Sequence, residues 1–375
     1  MQSYPVEFLQ SMLETYSPSG SEAELAQLIH DEMRAHGIEP RIDKAGNVLG
    51  TLGNEGPSVL LCGHMDTVPG RIPVKREGDF LFGRGAVDAK AALAVMIYGA
   101  IAAKQRSKFP IQLTVAGVVE EETSSKGIKE IINHGSHYDL AVFGEPSGIS
   151  NIIIGYKGSL RLHLTFLTPG GHSAAPWLST SSYNASSSFW SEFQRQFLQN
   201  DAQLKFDEVT GCVTNIISDG PGNSVPAKTT LGIDVRIPPH VKPQELARKI
   251  EEFSATFARN HKDLRVQLSI DDQTEAFLGS TDSYPLAAFR WAIRKVVGTQ
   301  VAFVRKTGTG DVNVYAVNRQ IPMFTYGPGD SKLDHTGDEQ VSIPEYLASI
   351  EVYANALPRI AERFNQAEMQ AAAIK

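Results

Sequence analysis

Short apolar runs that end abruptly in a histidine or in glutamates constrain this chain more than any other feature. These runs and the residues after them are 59–62 before His64, 111–119 before Glu120-Glu121-Glu122, and 140–143 before Glu145. Their length and composition predict buried strands. Segments with apolar positions at helical spacing lie around and between them. Alternating strands and helices predict an α/β fold, in which helices on both faces sandwich a mostly parallel sheet.

The remaining pattern completes this prediction. Helices are predicted at residues 6–16, 21–36, 89–103, 127–133, 284–297 and 344–365, and further strands near 301–304 and 321–325. In an open α/β sheet, ligands bind beyond the carboxyl ends of the strands. Because His64, Glu122 and Glu145 follow three separate strands, we expect their side chains to meet in one crevice.

The pattern changes near residue 157. Residues 160–166 alternate between apolar and polar, which is typical of a half-exposed antiparallel strand. A helix near 181–198, strands near 211–217 and 229–237, a helix at 243–259 and a strand at 264–270 follow. We therefore predict an inserted α+β domain at residues 157–275, and a main domain made of residues 1–156 and 276–375.

Composition narrows the class of protein. The chain has 375 residues, 42% of them apolar, which is enough for two domains with sizeable cores. Its formal net charge is -7 and no basic block occurs, so we expect no nucleic-acid partner. Cys62 and Cys212 are the only cysteines, which favours a reducing compartment. With no apolar stretch of roughly 20 residues and no signal peptide, we expect no membrane association and a cytoplasmic protein.

Five residues have the character of metal ligands: His64, Asp88, Glu122, Glu145 and His335. Imidazole and carboxylate groups both bind zinc or a similar ion such as Co²⁺. If one carboxylate bridges, the five side chains give each of two ions three ligands and leave room for a water. Asp88 is the best candidate for that bridge. Taken alone, the glutamate triplet could be an acidic turn before a helix, and His335 could be an ordinary solvated loop histidine.

Three further residues are candidates for the chemistry. Two adjacent carboxylates can have different roles: Glu122 could bind metal while Glu121 receives a proton from a metal-bound water. Asp66 can accept the second imidazole N–H of His64 and fix its tautomer. His172 stands in a glycine-containing segment, Pro169-Gly170-Gly171-His172-Ser173, from which an exposed imidazole could donate to a developing oxyanion.

These motifs together resemble the di-zinc amidohydrolase and peptidase family that includes acetylornithine deacetylase, succinyl-diaminopimelate desuccinylase, aminoacylase and carboxypeptidase G. The resemblance covers nearly the whole chain, and the motifs occur in the family's order. It implies that His64 and Glu145 hold one Zn²⁺, that Glu122 and His335 hold the other, and that Asp88 bridges them.

The resemblance also implies roles around the metals. Glu121 would be the general base and Asp66 would orient His64. The inserted domain would be a lid or dimerisation domain of a homodimer, through which His172 reaches the neighbouring subunit's site. Residues matching substrate-contacting positions are Asn223, Arg236, Thr309 and Gly310, and Arg236 would grip a carboxylate as a fork.

Three segments resemble one branch of the family more than the rest: 85–90, 155–158 and 306–313. That branch hydrolyses lysine or ornithine from an amino-group carrier protein in lysine and arginine biosynthesis, and many members are described as acetyl-lysine deacetylases. Many relatives have a glycine directly or shortly after the lysine that corresponds to Lys90, whereas Ala91 and Ala92 stand here. The carrier of that branch is acidic, so the net charge of -7 is a mild objection.

Other functions stay open. Within the family, these are deacetylation of free N-acetyl-lysine or N-acetylornithine, desuccinylation of succinyl-diaminopimelate, and cleavage of a small peptide. Outside it, a metal-bound dimeric binding protein without catalysis is the remote alternative. The presence of Glu121 and of all five ligand candidates disfavours that last function.

Overall fold

The computed structural model describes residues 3–106, 109–198 and 202–374, and the chain divides into two compact units. The larger unit comprises Met1–Gly155, Gly279–Val304 and Gly310–Lys375. The smaller unit comprises Tyr156–Leu278 and Arg305–Thr309. The short segment at 305–309 joins the smaller unit although it lies outside the insertion outlined from the sequence.

The helices and strands of the described ranges are as follows. The α-helices are α1 (Ser3–Glu14), α2 (Ala23–Ala35), α3 (Lys90–Arg106), α4 (Lys126–Asn133), α5 (Ser182–Phe197), α6 (Pro243–Asn260), α7 (Tyr284–Val297), α8 (Asp311–Asn318) and α9 (Ile343–Ile374). The strands are β1 (Glu39–Ile42), β2 (Val48–Leu52), β3 (Ser58–His64), β4 (Lys75–Glu77), β5 (Phe80–Phe82), β6 (Gln112–Val118), β7 (Leu140–Gly144), β8 (Asn151–Tyr156), β9 (Gly158–Leu167), β10 (Gly171–His172), β11 (Thr210–Ser218), β12 (Ser224–Val225), β13 (Lys228–Ile237), β14 (Arg265–Thr274), β15 (Phe277–Leu278), β16 (Ala302–Lys306), β17 (Met323–Thr325) and β18 (Gln340–Ser342).

The larger unit is built on a sheet whose order includes β1-β2-β6-β3-β7-β17-β8. Its four central strands, β6, β3, β7 and β17, are parallel, whereas β1, β2 and β8 pair in the antiparallel sense. Helix α3 packs on β3, β6 and β7, and also contacts α1 and α9. The predicted α/β class with a mostly parallel central sheet is confirmed, and the antiparallel strands lie outside the parallel centre.

A row of glycines brings α3 close to the sheet just before the strands end. Gly63 pairs with Gly117 on one side and with Gly144 on the other. A Cβ on Gly63 would lie 3.2 Å from the Cβ of Leu93, and one on Gly144 would lie 3.0 Å from Met96 Cε. Side chains in this row would push α3 outward. Because these glycines have no side chains, the start of α3 and Asp88 just before it can lie close to the strand ends.

The smaller unit contains a four-stranded antiparallel sheet in the order β11-β13-β9-β14. Helices α5 and α6 pack against it and bury phenylalanines from both helices, among them Phe189, Phe193 and Phe257. Along β9, Leu160 and Leu162 are buried while the intervening Arg161 is exposed, as the sequence alternation predicts. This unit therefore has a hydrophobic core of its own.

No helix in the described part of the chain is both long and apolar enough to cross a bilayer.

Candidate metal centre

His64 ends strand β3 and is fixed by one main-chain bond. Its Nδ1 lies 2.8 Å from the carbonyl oxygen of Asp66, which can accept only from an N–H. A neutral His64 ring therefore carries its proton on Nδ1 and has the lone pair on Nε2. That nitrogen lies 3.1 Å from Asp88 Oδ1 and 3.7 Å from Glu145 Oε1. His64, Asp88 and Glu145 thus form one group of converging donor atoms.

A second group shares Asp88 with the first. His335 Nε2 lies 3.1 Å from Asp88 Oδ2 and 3.0 Å from Glu122 Oε2. The two oxygens of Asp88 therefore face different groups, which is the arrangement that a bridging carboxylate requires. All five residues singled out as ligand candidates from the sequence meet in these two groups.

The spacing of the donor atoms fits divalent ions. In a tetrahedral site with bonds of 2.0–2.1 Å, neighbouring ligand atoms are about 3.3 Å apart. Within each group the ligand atoms lie within 4.8 Å of one another, and the contacts of His64 and His335 are 3.0–3.7 Å long. Imidazole nitrogens and carboxylate oxygens are also the donor types that such ions prefer. Carboxylates this close repel one another, and a bound cation would offset that repulsion.

The charges of the site shift the pKa values of its imidazoles and of Asp88. Hydrogen bonds to Asp88 and Glu122 raise the pKa of His335 to about 10. Burial lowers the pKa of His64, but hydrogen bonds to Asp66 and Asp88 outweigh it and hold that pKa well above its ordinary value. Burial raises the pKa of Asp88, but hydrogen bonds with both histidines outweigh burial and lower that pKa. The negative field behind these shifts is the field that favours a cation.

The loop with the glutamate triplet is held by two carboxylates through successive main-chain N–H groups. Glu120 N donates to Glu22 Oε1 at 3.0 Å. Glu121 N and Glu122 N donate to the two oxygens of Asp66 at 3.0 and 3.1 Å. The Asp66 carboxylate lies 3.5 Å from His64 Nδ1, farther than from the N–H groups of this loop. The carbonyl oxygen of Asp66 makes the shorter contact with His64.

The segment before α2 supports the same region. Ser17 Oγ donates to Met65 O at 2.7 Å, and Thr67 N donates to Ser17 O at 3.0 Å. Ser19 Oγ donates to Asp66 Oδ2 at 2.7 Å. This segment thus contributes no candidate ligand, but it fixes the chain on either side of Asp66.

Glu121 stands beside the two groups in a strongly negative environment. Burial raises its pKa well above the ordinary value, and the charges of Glu145, Asp311 and Glu122 add to that rise. A Cβ on Gly310 would lie 3.1 Å from Glu121 Oε1, so the start of α8 closely approaches this carboxyl. A raised pKa makes a carboxylate a stronger base, which suits a general base.

Three functional candidates were missed from the sequence. Asp311 begins α8, and burial raises its pKa to about 7. Glu22 holds Glu120, and Glu339 pairs with Arg84. The glycine-rich segment before Asp311 was a usable signal for that residue. Glu22 and Glu339 had none, since isolated glutamates in polar segments look like surface residues.

His172 ends strand β10 of the smaller unit, and Asn223 directly precedes strand β12. His172 on β10 pairs with Ser224 on β12, and Ser173 N donates to Asn223 O at 3.1 Å. Ala174 N donates to His172 Nδ1 at 3.0 Å, so a neutral ring carries its proton on Nε2. The side chain is exposed, and its Nε2–H is a donor that can serve a reacting group.

Arg236 projects from β13 of the smaller unit and already has a carboxylate partner. Its Nε lies 2.8 Å from Asp234 Oδ1, and its Nη2 donates to Asp234 Oδ2 at 3.0 Å. Its Nη1 donates to Thr309 Oγ1 at 3.3 Å. One edge of the guanidinium is thus held by Asp234, and the Nη1 side faces the glycine-rich segment.

Comparison with known proteins gives this geometry a family. A family model described as peptidase family M20/M25/M40 matches residues 60–359. The chain belongs to this family. M20 proteins are dinuclear metal-dependent hydrolases, and the two donor groups sharing Asp88 agree with that property.

Curated M20 relatives match nearly the full length. The chain is 34% identical to a protein of Deinococcus radiodurans named LysW-lysine hydrolase, over 94% of this chain and 96% of that one. It is 32% identical to a protein of Pyrococcus abyssi named for hydrolysis of LysW-lysine and LysW-ornithine, over 95% and 94% of the two chains.

Solved M20 structures show the same fold at lower identity. A tripeptidase from Staphylococcus aureus superposes with a TM-score of 0.82 at 17% identity, covering 96% of this chain and 99% of that one. A dinuclear metal binding peptidase from Bacillus subtilis superposes with a TM-score of 0.74 at 12% identity, covering 96% and 98%. The predicted family, fold and amidohydrolase class are therefore confirmed.

Proposed function

We propose that this M20 enzyme hydrolyses the amide bond that links lysine, or ornithine, to an amino-group carrier protein in lysine or arginine biosynthesis. The observation that carries the proposal is the near full-length match, above 30% identity, to relatives named for LysW-lysine hydrolysis. The five candidate ligands in two donor groups that share Asp88, with the buried Glu121 as a candidate base, support it.

We propose two Zn²⁺ ions as the cofactors, with Co²⁺ as an alternative. His64 and Glu145 would hold one ion, Glu122 and His335 the other, and Asp88 would bridge them through its two oxygens. When bound, such ions polarise a carbonyl oxygen and lower the pKa of water. The imidazole and carboxylate donors at 3.0–3.7 Å support this assignment.

Glu121 is the proposed proton carrier. It accepts a proton as the water oxygen bonds to the carbonyl carbon of the carrier's glutamate side chain. It then returns that proton to the lysine nitrogen as the C–N bond breaks. The raised pKa of Glu121 makes its carboxylate a stronger base for the first step.

The substrate contacts are proposed from the smaller unit and the glycine-rich segment. Arg236 binds the α-carboxylate of lysine with its Nη1 side, because Asp234 holds the opposite edge and orients the fork. Thr309, which accepts from Nη1, would share the carboxylate. Asn223 and Gly310 are the remaining proposed contacts.

We propose that residues 1–156 and 276–375 form the catalytic domain and that residues 157–275 form the lid and dimerisation domain of a homodimer. The exposed His172, with a donor at Nε2, would steady the tetrahedral intermediate in the partner's site. The enzyme would act in the cytoplasm, a proposal supported by its unpaired Cys62 and Cys212 and by a carrier-linked substrate.

Mass spectrometry of substrate mixtures tests this proposal. Wild-type enzyme loaded with zinc is incubated with carrier-lysine, carrier-ornithine, N-acetyl-lysine, N-acetylornithine and succinyl-diaminopimelate. We expect loss of one lysyl or ornithyl residue from the carrier at a higher kcat/KM than release from any free compound. Cleavage of the free compounds alone would remove the carrier from the proposal.

Glu121→Gln is the matched control, since it keeps the size and shape of the side chain but cannot carry the proton. We expect kcat to fall by about 10²–10⁴-fold with the metal content unchanged. Equal turnover by this variant and the wild type would rule out the proposed base. Metal binding without turnover by the wild type would favour a non-catalytic binding protein.

A further inference from the structure

A buried ion pair outside the donor groups joins the loops that carry two of the candidate ligands. Arg84 and Glu339 are 8% and 0% exposed, and Arg84 Nη1 lies 2.5 Å from Glu339 Oε1. Desolvation makes such a pair weak evidence for stability, because its cost can cancel the attraction between the charges. The bonds that both side chains make to main-chain groups point to another role.

Arg84 bridges two loops through their carbonyl oxygens. Its Nε donates to Gly70 O at 2.9 Å, and its Nη1 donates to Thr336 O at 2.9 Å. Gly70 lies four residues after Asp66, and Thr336 directly follows His335. One guanidinium thus ties the chain after strand β3 to the loop of His335.

Glu339 binds the loop of the bridging candidate from the other side. Its Oε2 accepts from Gly85 N at 2.7 Å and from Val87 N at 3.4 Å. Val87 directly precedes Asp88. The pair therefore reaches within one peptide unit of Asp88 through Glu339, and within one peptide unit of His335 through Arg84.

The two candidate histidines differ in how much they need such support. His64 is buried at the end of a strand and bonded to Asp66 O. The His335 side chain is 51% exposed, and its backbone has φ +63°. A non-glycine residue in that left-handed region persists only where its surroundings fix it. The bond from Arg84 to Thr336 O is one such constraint.

We propose that Arg84 and Glu339 form a positioning pair that holds His335 and Asp88 at ion-binding spacing. The pair acts through the loops, and it controls the Asp88–Glu122–His335 group more than the group of His64. This inference rests on the metal centre of the proposed function, but not on the identity of the substrate.

Arg84→Lys tests whether the several donors of the planar guanidinium are needed. Lysine keeps the charge opposite Glu339, but it is a point donor that cannot serve Gly70 O, Thr336 O and Glu339 together in the same planar geometry. Metal-depleted full-length protein is titrated with Co²⁺ and followed by visible absorption. We expect one of the two binding steps to weaken by about 10–100-fold and the other to change less, because His335 belongs to one group and Asp88 to both.

The matched control is Arg106→Lys. The exposed Arg106 guanidinium donates two hydrogen bonds of 2.6 Å to the Glu351 carboxylate, away from the candidate ligands. We expect this variant to titrate as wild type. A second test variant, Arg84→Met with Glu339→Gln, removes both charges and leaves an amide oxygen for Gly85 N. It avoids an unpaired buried charge, so it keeps the test valid if Arg84→Lys does not fold. We expect the same selective loss from it.

The outcomes separate this inference from the proposed function. A folded Arg84→Lys or double variant with two wild-type binding steps would overturn the positioning role. A wild-type protein that binds fewer than two ions would overturn the metal centre, and the inference with it. A wild type that binds two ions but releases nothing from the carrier would overturn only the proposed substrate.

Discussion

At the scale of single residues, Asp66 uses different atoms for two positioning tasks. Its carbonyl oxygen accepts from His64, and its two carboxylate oxygens accept from Glu121 N and Glu122 N. Burial raises the pKa of this carboxyl, but His64 and the hydrogen bonds from Ser19 and Glu122 N outweigh it and lower the pKa. The side chain is therefore ionised, with both oxygens available as acceptors.

Asp66→Asn replaces one of these acceptors by an NH₂ group that faces a donor. We expect kcat/KM to fall by about 10–100-fold, because the loop carrying Glu121 and Glu122 loses a fixed point. We also expect the free energy of unfolding to fall by about 1–3 kcal/mol, because a buried N–H is left unsatisfied. Steady-state kinetics and urea denaturation measure the two effects.

The control for this variant is Ser19→Ala, which removes one donor to Asp66 and keeps both acceptor oxygens. We expect it to lower the free energy of unfolding by only about 0.5–1.5 kcal/mol and to retain most activity. Equal losses of kcat/KM in both variants would argue against a specific role for the Asp66 oxygens.

At the scale of elements, α3 is packed tightly on α9 at one glycine. A Cβ on Gly99 would lie 2.3 Å from the Cβ of Tyr353 and 3.5 Å from Ile350 O. The Tyr353 Cβ is attached to the helix backbone, so it cannot rotate away. Tyr353 itself is fully buried, and its hydroxyl donates to Tyr326 O at 3.0 Å.

Gly99→Ala should therefore destabilise the protein although alanine has the higher helix propensity. We expect the free energy of unfolding to fall by about 1–3 kcal/mol, since overpacking outweighs the gain in propensity. Urea denaturation provides the measurement. Gly222→Ala is the control, because a Cβ there meets no atom within 4 Å. A Gly99→Ala protein as stable as the wild type would mean that α3 and α9 separate more easily than the contact distance implies.

The sequence predicted the central elements of the fold because burial left a clear pattern there. Helix α7 runs from 284 to 297 as predicted, and the strands before His64 and Glu145 were found from their apolar runs. Strands β1 and β2 were missed because a short antiparallel pair lacks a continuous apolar run. Helix α8 was missed because the segment Thr307-Gly308-Thr309-Gly310 before it resembles a loop.

The sequence predicted the candidate ligands of the site, but few of the residues that hold those ligands in place. Strand ends gave His64, Glu122 and Glu145 from the pattern alone, whereas His335 depended on family resemblance. The bonds made by Glu22 and Glu339 join residues about 100 and 255 positions apart, and no local pattern records such pairs. Every residue has a main-chain carbonyl oxygen, so the residue type does not show that Asp66 O accepts from His64.

At the scale of the whole molecule, metal removal should affect the two units unequally. The five ligand candidates all belong to the larger unit. An ion that binds only the folded state stabilises it, by about 2.7 kcal/mol when its free concentration is 100 times Kd. Removing the ions with a chelator should therefore increase amide hydrogen exchange in β3, β6 and β7, but not in β9 and β13.

Peptide-resolved mass spectrometry would measure this exchange, and added Zn²⁺ should restore the protection. Equal loss of protection in both units would contradict the assignment of the ions to the larger unit alone.

The proposed action of His172 in the partner's site can be tested by mixing two inactive subunits. His172→Ala and Glu121→Gln homodimers are each expected to be inactive. Subunit exchange should form dimers in which one site has both an intact Glu121 and an intact His172 from the partner. We expect about a quarter of the wild-type activity from random mixing of a symmetric dimer. No recovery, with exchange confirmed by native mass spectrometry, would place His172 in its own subunit's site or outside catalysis.

The segment around Ser17, Ser19 and Glu22 has a practical consequence for anyone who trims this protein. The family match begins at residue 60, so a recombinant fragment cut to that limit would retain all five ligand candidates and Glu121. It would also discard the hydroxyls of Ser17 and Ser19, which donate to Met65 O and to the Asp66 carboxylate, and the Glu22 carboxylate, which accepts from Glu120 N. Such a fragment would keep the candidate ligands and base but lose the hydrogen bonds that fix the loops carrying them.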